Sequence, residues 1–106
     1  MDRQTKQDIP IACDPAAIDA EVRSTHLRAA EQLLRHDAVE VQELPDGFAF
    51  RYAAEQYAQV TQFIANERLC CPFFTFTLEV TPAHGPIWLR ITGSDEIKAS
   101  IQSSLA

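Results

Sequence analysis

Residues 67–76, ERLCCPFFTF, contain the boundary between a helical pattern and a strand pattern. Pro72 disfavours helical geometry at the residue before it, so the preceding helix is expected to end near Leu69 or Cys70. After the proline, phenylalanines alternate with threonines, which is typical of a half-buried strand. Two adjacent cysteines, Cys70 and Cys71, therefore lie where a helix passes into a strand.

The chain on either side of this junction continues both patterns. The helix covers about residues 54–69, and the strand is joined by a loop at residues 81–86 to a last strand. Gly93-Ser94 then begins a final helix, whose first turn carries acidic residues suited to its positive end. The apolar positions expected to face the core are Tyr57, Val60, Phe63 and Ile64, then Phe74, Phe76, Leu78 and Val80, then Ile87, Leu89 and Ile91, and finally Ile97, Ile101 and Leu105.

The first half of the chain predicts one more helix and one more hairpin. Asp14 is suited to cap a helix and Pro15 to its first position, and helical spacing continues to about His36. The buried stripe expected on this helix is Ile18, Val22, Ala29 or Ala30, and Leu33. The turn Pro45-Asp46-Gly47 then joins two strands, and we expect its glycine to supply a positive φ.

The order of elements is thus helix, hairpin, helix, hairpin, helix, which predicts an α+β fold. One four-stranded antiparallel sheet with the helices packed on one face would bury every apolar stripe. With 106 residues, of which 46% are hydrophobic, the chain is long enough for one domain and one core. We expect residues 1–8 to be flexible, because they are polar and terminal.

The charge of the chain excludes some partners. Fifteen acidic side chains face nine basic ones, for a net charge of −6, which argues against nucleic acid and anionic membrane surfaces. No apolar run approaches the roughly 20 residues that span a bilayer, and the start has no signal-peptide pattern. We expect a cytoplasmic protein with reduced thiols, and an odd cysteine count fits that expectation.

The three cysteines lie at two junctions. Cys13 precedes the cap of the first helix, where free amides favour its thiolate, whereas the adjacent pair lies at a helix C-terminus, which disfavours thiolate. A disulfide between neighbours is strained, because their Cα atoms are about 3.8 Å apart and disulfides need roughly 4.4–6.8 Å. Either Cys70 or Cys71 remains able to pair with Cys13.

If the fold brings the two junctions together, the sulfurs form a site for a soft ion. Three thiolates suit Hg(II), As(III), Cu(I) or Cd(II), and Zn(II) if a fourth ligand joins. The candidate metal residues are Cys13, Cys70 and Cys71, with His26 or Glu67 as a fourth ligand or a supporting group. With three glycines there is no phosphate-binding loop, and no organic cofactor is predicted.

Other interpretations of the same residues stay open. One is a thiol-based redox or transfer enzyme, in which Cys13 attacks and Cys70 or Cys71 resolves. Another is a structural or ligand-binding module that presents Trp88 to a partner or to a second copy in a homodimer. Buried cysteines are also common as simple core residues.

The sequence resembles a group of small, uncharacterised bacterial proteins. The segments that carry the resemblance are residues 67–76 with their Cys-Cys-Pro-Phe run, residues 85–93, residues 11–14 and residues 43–51. Relatives of this kind occur near, or fused behind, regulators of the mercury-resistance type. The resemblance implies heavy-metal handling through Cys13, Cys70 and Cys71, and it implies nothing about DNA, since the chain shows no helix-turn-helix portion.

Overall fold

The computed structural model describes residues 13–105 of the chain, and the stretch expected to be flexible, residues 1–8, lies outside them. The polypeptide forms an α+β domain of three α-helices and four strands. In chain order the elements are a 3₁₀ turn at Pro15–Ala17, α1 at Ala20–Gln32, a π turn at Leu33–Asp37, β1 at Glu40–Leu44, β2 at Gly47–Tyr52, a 3₁₀ turn at Ala54–Gln56, α2 at Tyr57–Cys70, β3 at Thr75–Val80, β4 at Ile87–Thr92 and α3 at Asp95–Leu105.

The four strands form one sheet in the order β1-β2-β4-β3, and every pairing is antiparallel. The two central strands come from different hairpins, so the sheet joins the two halves of the chain. Leu89 of β4 pairs with Phe50 on one side and with Leu78 on the other. The expected four-stranded antiparallel sheet is therefore confirmed.

The main core lies between one face of the sheet and the helices. Alternate residues of β2 and β4 point to it, because successive side chains of a strand face opposite ways. Its buried members are Phe48, Phe50, Tyr52, Leu89 and Ile91 from the sheet, with Leu33, Val60, Phe63, Ile97 and Ile101 from the helical segments. On the other face, Trp88 is half-buried and the Arg51 guanidinium lies 6.0 Å from its ring centre.

The first helix differs from its prediction. A continuous helix from Pro15 to about His36 was expected, but Ile18 has an extended backbone and separates the 3₁₀ turn from α1. The extended backbone lets Ile18, only 1% exposed, pack with Cys70 and Cys71, in a small second core cluster. Val22, expected to be buried on the same stripe, is 40% exposed.

Two further expectations are corrected. Tyr57, placed on the buried stripe of α2, is 49% exposed. Gly47 does not have a positive φ; instead, a Cβ atom there would collide with the backbone carbonyl of Ile91 on β4. Within residues 13–105 the positive φ values belong to Ala83 and His84 in the β3–β4 loop, both at 58°.

Within the described part of the chain, no helix combines the length and the apolar content that crossing a bilayer requires.

Candidate metal centre

Backbone hydrogen bonds bring the two cysteine junctions together. The amide of Asp14 donates to the carbonyl of Cys70, at 2.8 Å, which ties the segment that begins at Cys13 to the last residue of α2. The amide of Cys71 closes the final turn of that helix by donating to the carbonyl of Glu67, at 2.7 Å. Cys71 itself has left helical geometry, as Pro72 predicts. The convergence of the cysteines on which the metal hypothesis depends is therefore present.

The three sulfur atoms form one cluster. All three lie within 4.8 Å of one another. The Cys70 and Cys71 sulfurs are 3.7 Å apart, and Cys13 forms a disulfide with Cys71 across a Cα separation of 4.6 Å. The sequence left either partner open for Cys13, and the structure pairs it with Cys71 and leaves Cys70 as the free thiol.

The cysteines differ in their access to solvent. Cys70 is 4% exposed and Cys71 is 2% exposed, among Ile18, Phe73 and Phe74, whereas Cys13 is exposed. The cluster therefore has two sulfurs that belong to a small apolar core and one that faces the solvent.

The ionisation of Cys70 follows from this burial. Burial raises the pKa of the Cys70 thiol, and the neighbouring charge of Glu67 raises it further, while the backbone amide of Asp14 acts in the opposite direction. Burial and the Glu67 charge both disfavour the thiolate form of Cys70. The position of Cys70 at the end of α2 predicts the same effect, because a helix C-terminus disfavours a thiolate.

The spacing of the sulfurs suits a metal ion. Tetrahedral Zn(II), with Zn–S bonds of about 2.3 Å, separates two thiolate sulfurs by about 3.8 Å. The distance between the Cys70 and Cys71 sulfurs, 3.7 Å, is close to this spacing. Cys13 and Cys71 would become ligands only after a two-electron reduction of the disulfide that joins them.

His26 and Glu67 form a separate pair. The Nε2 atom of His26 lies 2.8 Å from Oε1 of Glu67, which links α1 to α2, and the His26 ring stacks on Phe63 with ring centres 5.8 Å apart. His26 is 3% exposed. Neither residue belongs to the group of ligand atoms within 4.8 Å, which comprises the three cysteines. The negative charge of Glu67 acts on the Cys70 thiol, whose pKa it raises. A role for His26 or Glu67 as a metal ligand stays a prediction.

Sequence reasoning missed Arg23, which holds the cysteine segment in place. Its guanidinium group donates to the carbonyl of Pro15 at 3.0 Å and to the carbonyl of Ile18 at 3.2 Å. These bonds fix the extended bend after Cys13 against the first turn of α1. An arginine that binds backbone carbonyls has no sequence motif, so this role of Arg23 can be seen only in the folded structure.

A groove of about 440 Å³ lies between α1 and α2, and none of the cysteines lines it. Its lining includes Val22, Ala29 and Ala58, with the buried side chains of His26 and Phe63. The groove and the cysteine cluster are therefore separate features of the described structure.

Comparison with protein-family models, with curated proteins and with solved structures finds no match. The cysteine cluster is therefore the feature from which a function can be argued.

Proposed function

We propose that this protein, in its reduced state, binds a soft metal or metalloid ion through the thiolates of Cys13, Cys70 and Cys71. Its role would be to sequester, sense or deliver the ion. The observation that carries the proposal is the approach of all three sulfurs to within 4.8 Å on a folded scaffold. Two of the three belong to helix α2 and the residue after it, so most of the site is in place before an ion arrives.

The donor set favours particular ions. Thiolate is a soft ligand and selects Cu(I), Zn(II) and the heavier thiophilic ions over magnesium or calcium. Hg(II), As(III), Cu(I) and Cd(II) can be satisfied by three sulfurs, while a structural Zn(II) needs a fourth ligand. The net charge of −6 favours the approach of cations over that of anions.

Glu67 and His26 are proposed as supporting groups. Glu67 lies one helical turn before the cysteine pair, and His26 Nε2 lies 2.8 Å from its carboxylate. Hydrogen bonds of this kind orient ligand carboxylates and tune metal sites. Glu67 would therefore serve as a fourth, oxygen ligand for Zn(II), or as an acceptor that stays behind the sulfurs when a three-coordinate ion binds.

The resemblance to bacterial proteins that accompany mercury-resistance-type regulators supports a heavy-metal role. A reducing cytoplasm, which the sequence led us to expect, would keep the three thiols available.

Titration of the reduced protein tests the proposal. Hg(II), As(III), Cu(I), Cd(II) and Zn(II) would each be added in competition with a small thiol, and we expect one ion per chain for at least one of them. The double variant Cys70→Ser, Cys71→Ser should lose this binding. His84→Ala is the matched control, because it removes an exposed imidazole from the β3–β4 loop. Unchanged affinity in the double variant would overturn the proposal.

The Cys13–Cys71 disulfide favours a second candidate, a thiol-based redox or transfer enzyme. In that function Cys13, the exposed member, attacks a substrate and Cys71 resolves the intermediate. This candidate requires an unusually acidic Cys13 thiol in the reduced protein, so that it reacts as a thiolate at neutral pH. Alkylation of Cys13 as a function of pH decides the matter: a midpoint well below the ordinary thiol pKa supports the enzyme, and an ordinary midpoint excludes it.

A further inference from the structure

The disulfide and the proposed ion site use the same atoms. Thiolates bind soft metals, and a sulfur that is already bonded to another sulfur carries no negative charge to donate. When Cys13 and Cys71 are joined, only Cys70 remains as a thiol. The two arrangements of the cluster therefore exclude each other.

We propose that the ion site is controlled by oxidation: the Cys13–Cys71 disulfide closes it, and reduction by an external dithiol opens it. This inference rests on the proposed ion binding and adds its regulation. It makes the protein a carrier or sensor that holds its ion under reducing conditions and releases it when the cluster is oxidised.

The difference in exposure defines where reduction begins. Cys13 is exposed and Cys71 is 2% exposed, so an incoming thiolate reaches the sulfur of Cys13. It forms a bond to that sulfur, the Cys13–Cys71 bond breaks, and Cys71 leaves as a thiolate. The second thiolate of the same dithiol then attacks the mixed disulfide and releases Cys13. The external dithiol becomes a disulfide, and the two electrons it loses are gained by the two protein sulfurs.

Closing is the reverse exchange with an external disulfide as the oxidant. That disulfide accepts the two electrons and becomes a dithiol, and the protein sulfurs become joined. The ion leaves during this step, because two of its three ligands are withdrawn.

The scaffold holds Cys13 beside the other sulfurs in either state. The amide of Asp14 donates to the carbonyl of Cys70, and Arg23 binds the carbonyls of Pro15 and Ile18. None of these bonds involves a sulfur atom. Opening the disulfide therefore leaves the segment docked, with its sulfur ready for an ion.

Ion binding and disulfide formation are thermodynamically linked, so each must affect the other. If oxidation lowers the affinity for the ion, then bound ion must oppose oxidation by the same factor. An ion-loaded protein should therefore resist disulfide formation under conditions that oxidise the free protein.

The experiment compares ion affinity in the two states, with Cd(II) as the probe because its thiolate complexes absorb in the ultraviolet. The full chain is reduced with a phosphine and freed of it, or oxidised with a small disulfide, and peptide mapping establishes which cysteines are joined. We expect the oxidised protein to bind Cd(II) more than about 100-fold more weakly, since loss of even an outer partner of a metal site costs about 10–100-fold.

Two variants provide controls. Cys70→Ser keeps both members of the disulfide, so it should oxidise like the wild type while binding Cd(II) more weakly when reduced. Cys13→Ser removes the long-range partner and leaves only adjacent cysteines, whose disulfide is strained. Its weakened Cd(II) binding should not respond to the oxidant.

The outcomes separate the two proposals. Weaker Cd(II) binding after oxidation supports the proposed control if the affinity returns when the oxidised protein is treated with a dithiol and desalted. Equal affinity in both states overturns it while the proposed ion binding stands. Failure of the reduced protein to bind any tested ion, although the disulfide forms reversibly, overturns both.

Discussion

Reduction of the Cys13–Cys71 disulfide should destabilise the fold by an amount that follows from the chain length it encloses. The two cysteines are 58 residues apart in sequence. In the chain-entropy model, a cross-link that closes a loop of this size lowers the entropy of the unfolded state by roughly 14 cal/mol/K, or about 4 kcal/mol at room temperature. Because small domains are stable by only about 5–15 kcal/mol, this is a large fraction of the total.

The assay is urea unfolding of the oxidised and reduced full-length protein, followed through the fluorescence of Trp88, the one tryptophan in the chain. With a slope of about 2 kcal/mol/M, typical of a small domain, the midpoint should fall by roughly 2 M on reduction. Addition of a tightly bound ion to the reduced protein should restore most of the loss, since about 4 kcal/mol corresponds to free ion at roughly 1,000 times its Kd.

Three variants identify the pairing. Cys70→Ser should retain the full difference between oxidised and reduced protein, and Cys13→Ser should abolish it. Coincident midpoints for oxidised and reduced wild-type protein would contradict the predicted stabilisation. Loss of the difference in Cys70→Ser but not in Cys71→Ser would also contradict it, because the bridge would then join Cys13 to Cys70.

Further predictions concern ionisation and packing. Burial and the Glu67 charge raise the pKa of Cys70, so the rate of alkylation of this thiol in the oxidised protein should keep increasing as the pH passes the ordinary thiol pKa of about 8.5. Glu67→Gln should move that midpoint to lower pH, and an unshifted profile would contradict the assignment. Gly47→Ala should cost more than about 2 kcal/mol in chemical unfolding, because the added methyl group meets the Ile91 carbonyl; a neutral result would mean that the strands are not so close. Tyr52→Phe should cost about 1 kcal/mol, since the buried hydroxyl donates a 3.0 Å hydrogen bond to a backbone carbonyl, and a stabilised variant would argue against that bond.

Local sequence signals located most of the secondary structure. Alternation placed Ile87, Leu89 and Ile91 on the buried face of β4. A serine followed by acidic residues placed the start of α3, where the Ser94 hydroxyl oxygen accepts a hydrogen bond from the amide of Ile97, at 3.3 Å. Such signals act within one element, so they can be seen without knowing what the element packs against.

The predictions that were wrong concern residues whose conformation depends on contacts between distant segments of the chain. Ile18 breaks the first helix because its side chain packs with Cys70 and Cys71, which follow it by more than 50 residues in the sequence. Helical spacing within one segment contains no information about such a distant contact. Gly47 is required by the approach of β4, a strand more than 40 residues away, and not by its own φ.

The candidate site was predictable in its members but not in its bonding. The position of Cys13 before a helix and of the Cys70–Cys71 pair after one suggested that the sulfurs could converge. The choice of partner for Cys13 depends on how the chain leaves α2, where Cys70 is still helical and Cys71 is not. Because Cys70 and Cys71 are adjacent and identical in type, the sequence alone does not indicate which of them pairs with Cys13.

The central claim is that one ion engages three sulfurs at once, and an alkylation footprint of the reduced protein tests it most directly. The three cysteines would be alkylated with and without one equivalent of the ion that binds most tightly, and each would be followed by mass spectrometry. We expect the single equivalent to slow the alkylation of Cys13, Cys70 and Cys71 together. Alkylation of any one of them at its ion-free rate, while the ion is bound, would contradict the account.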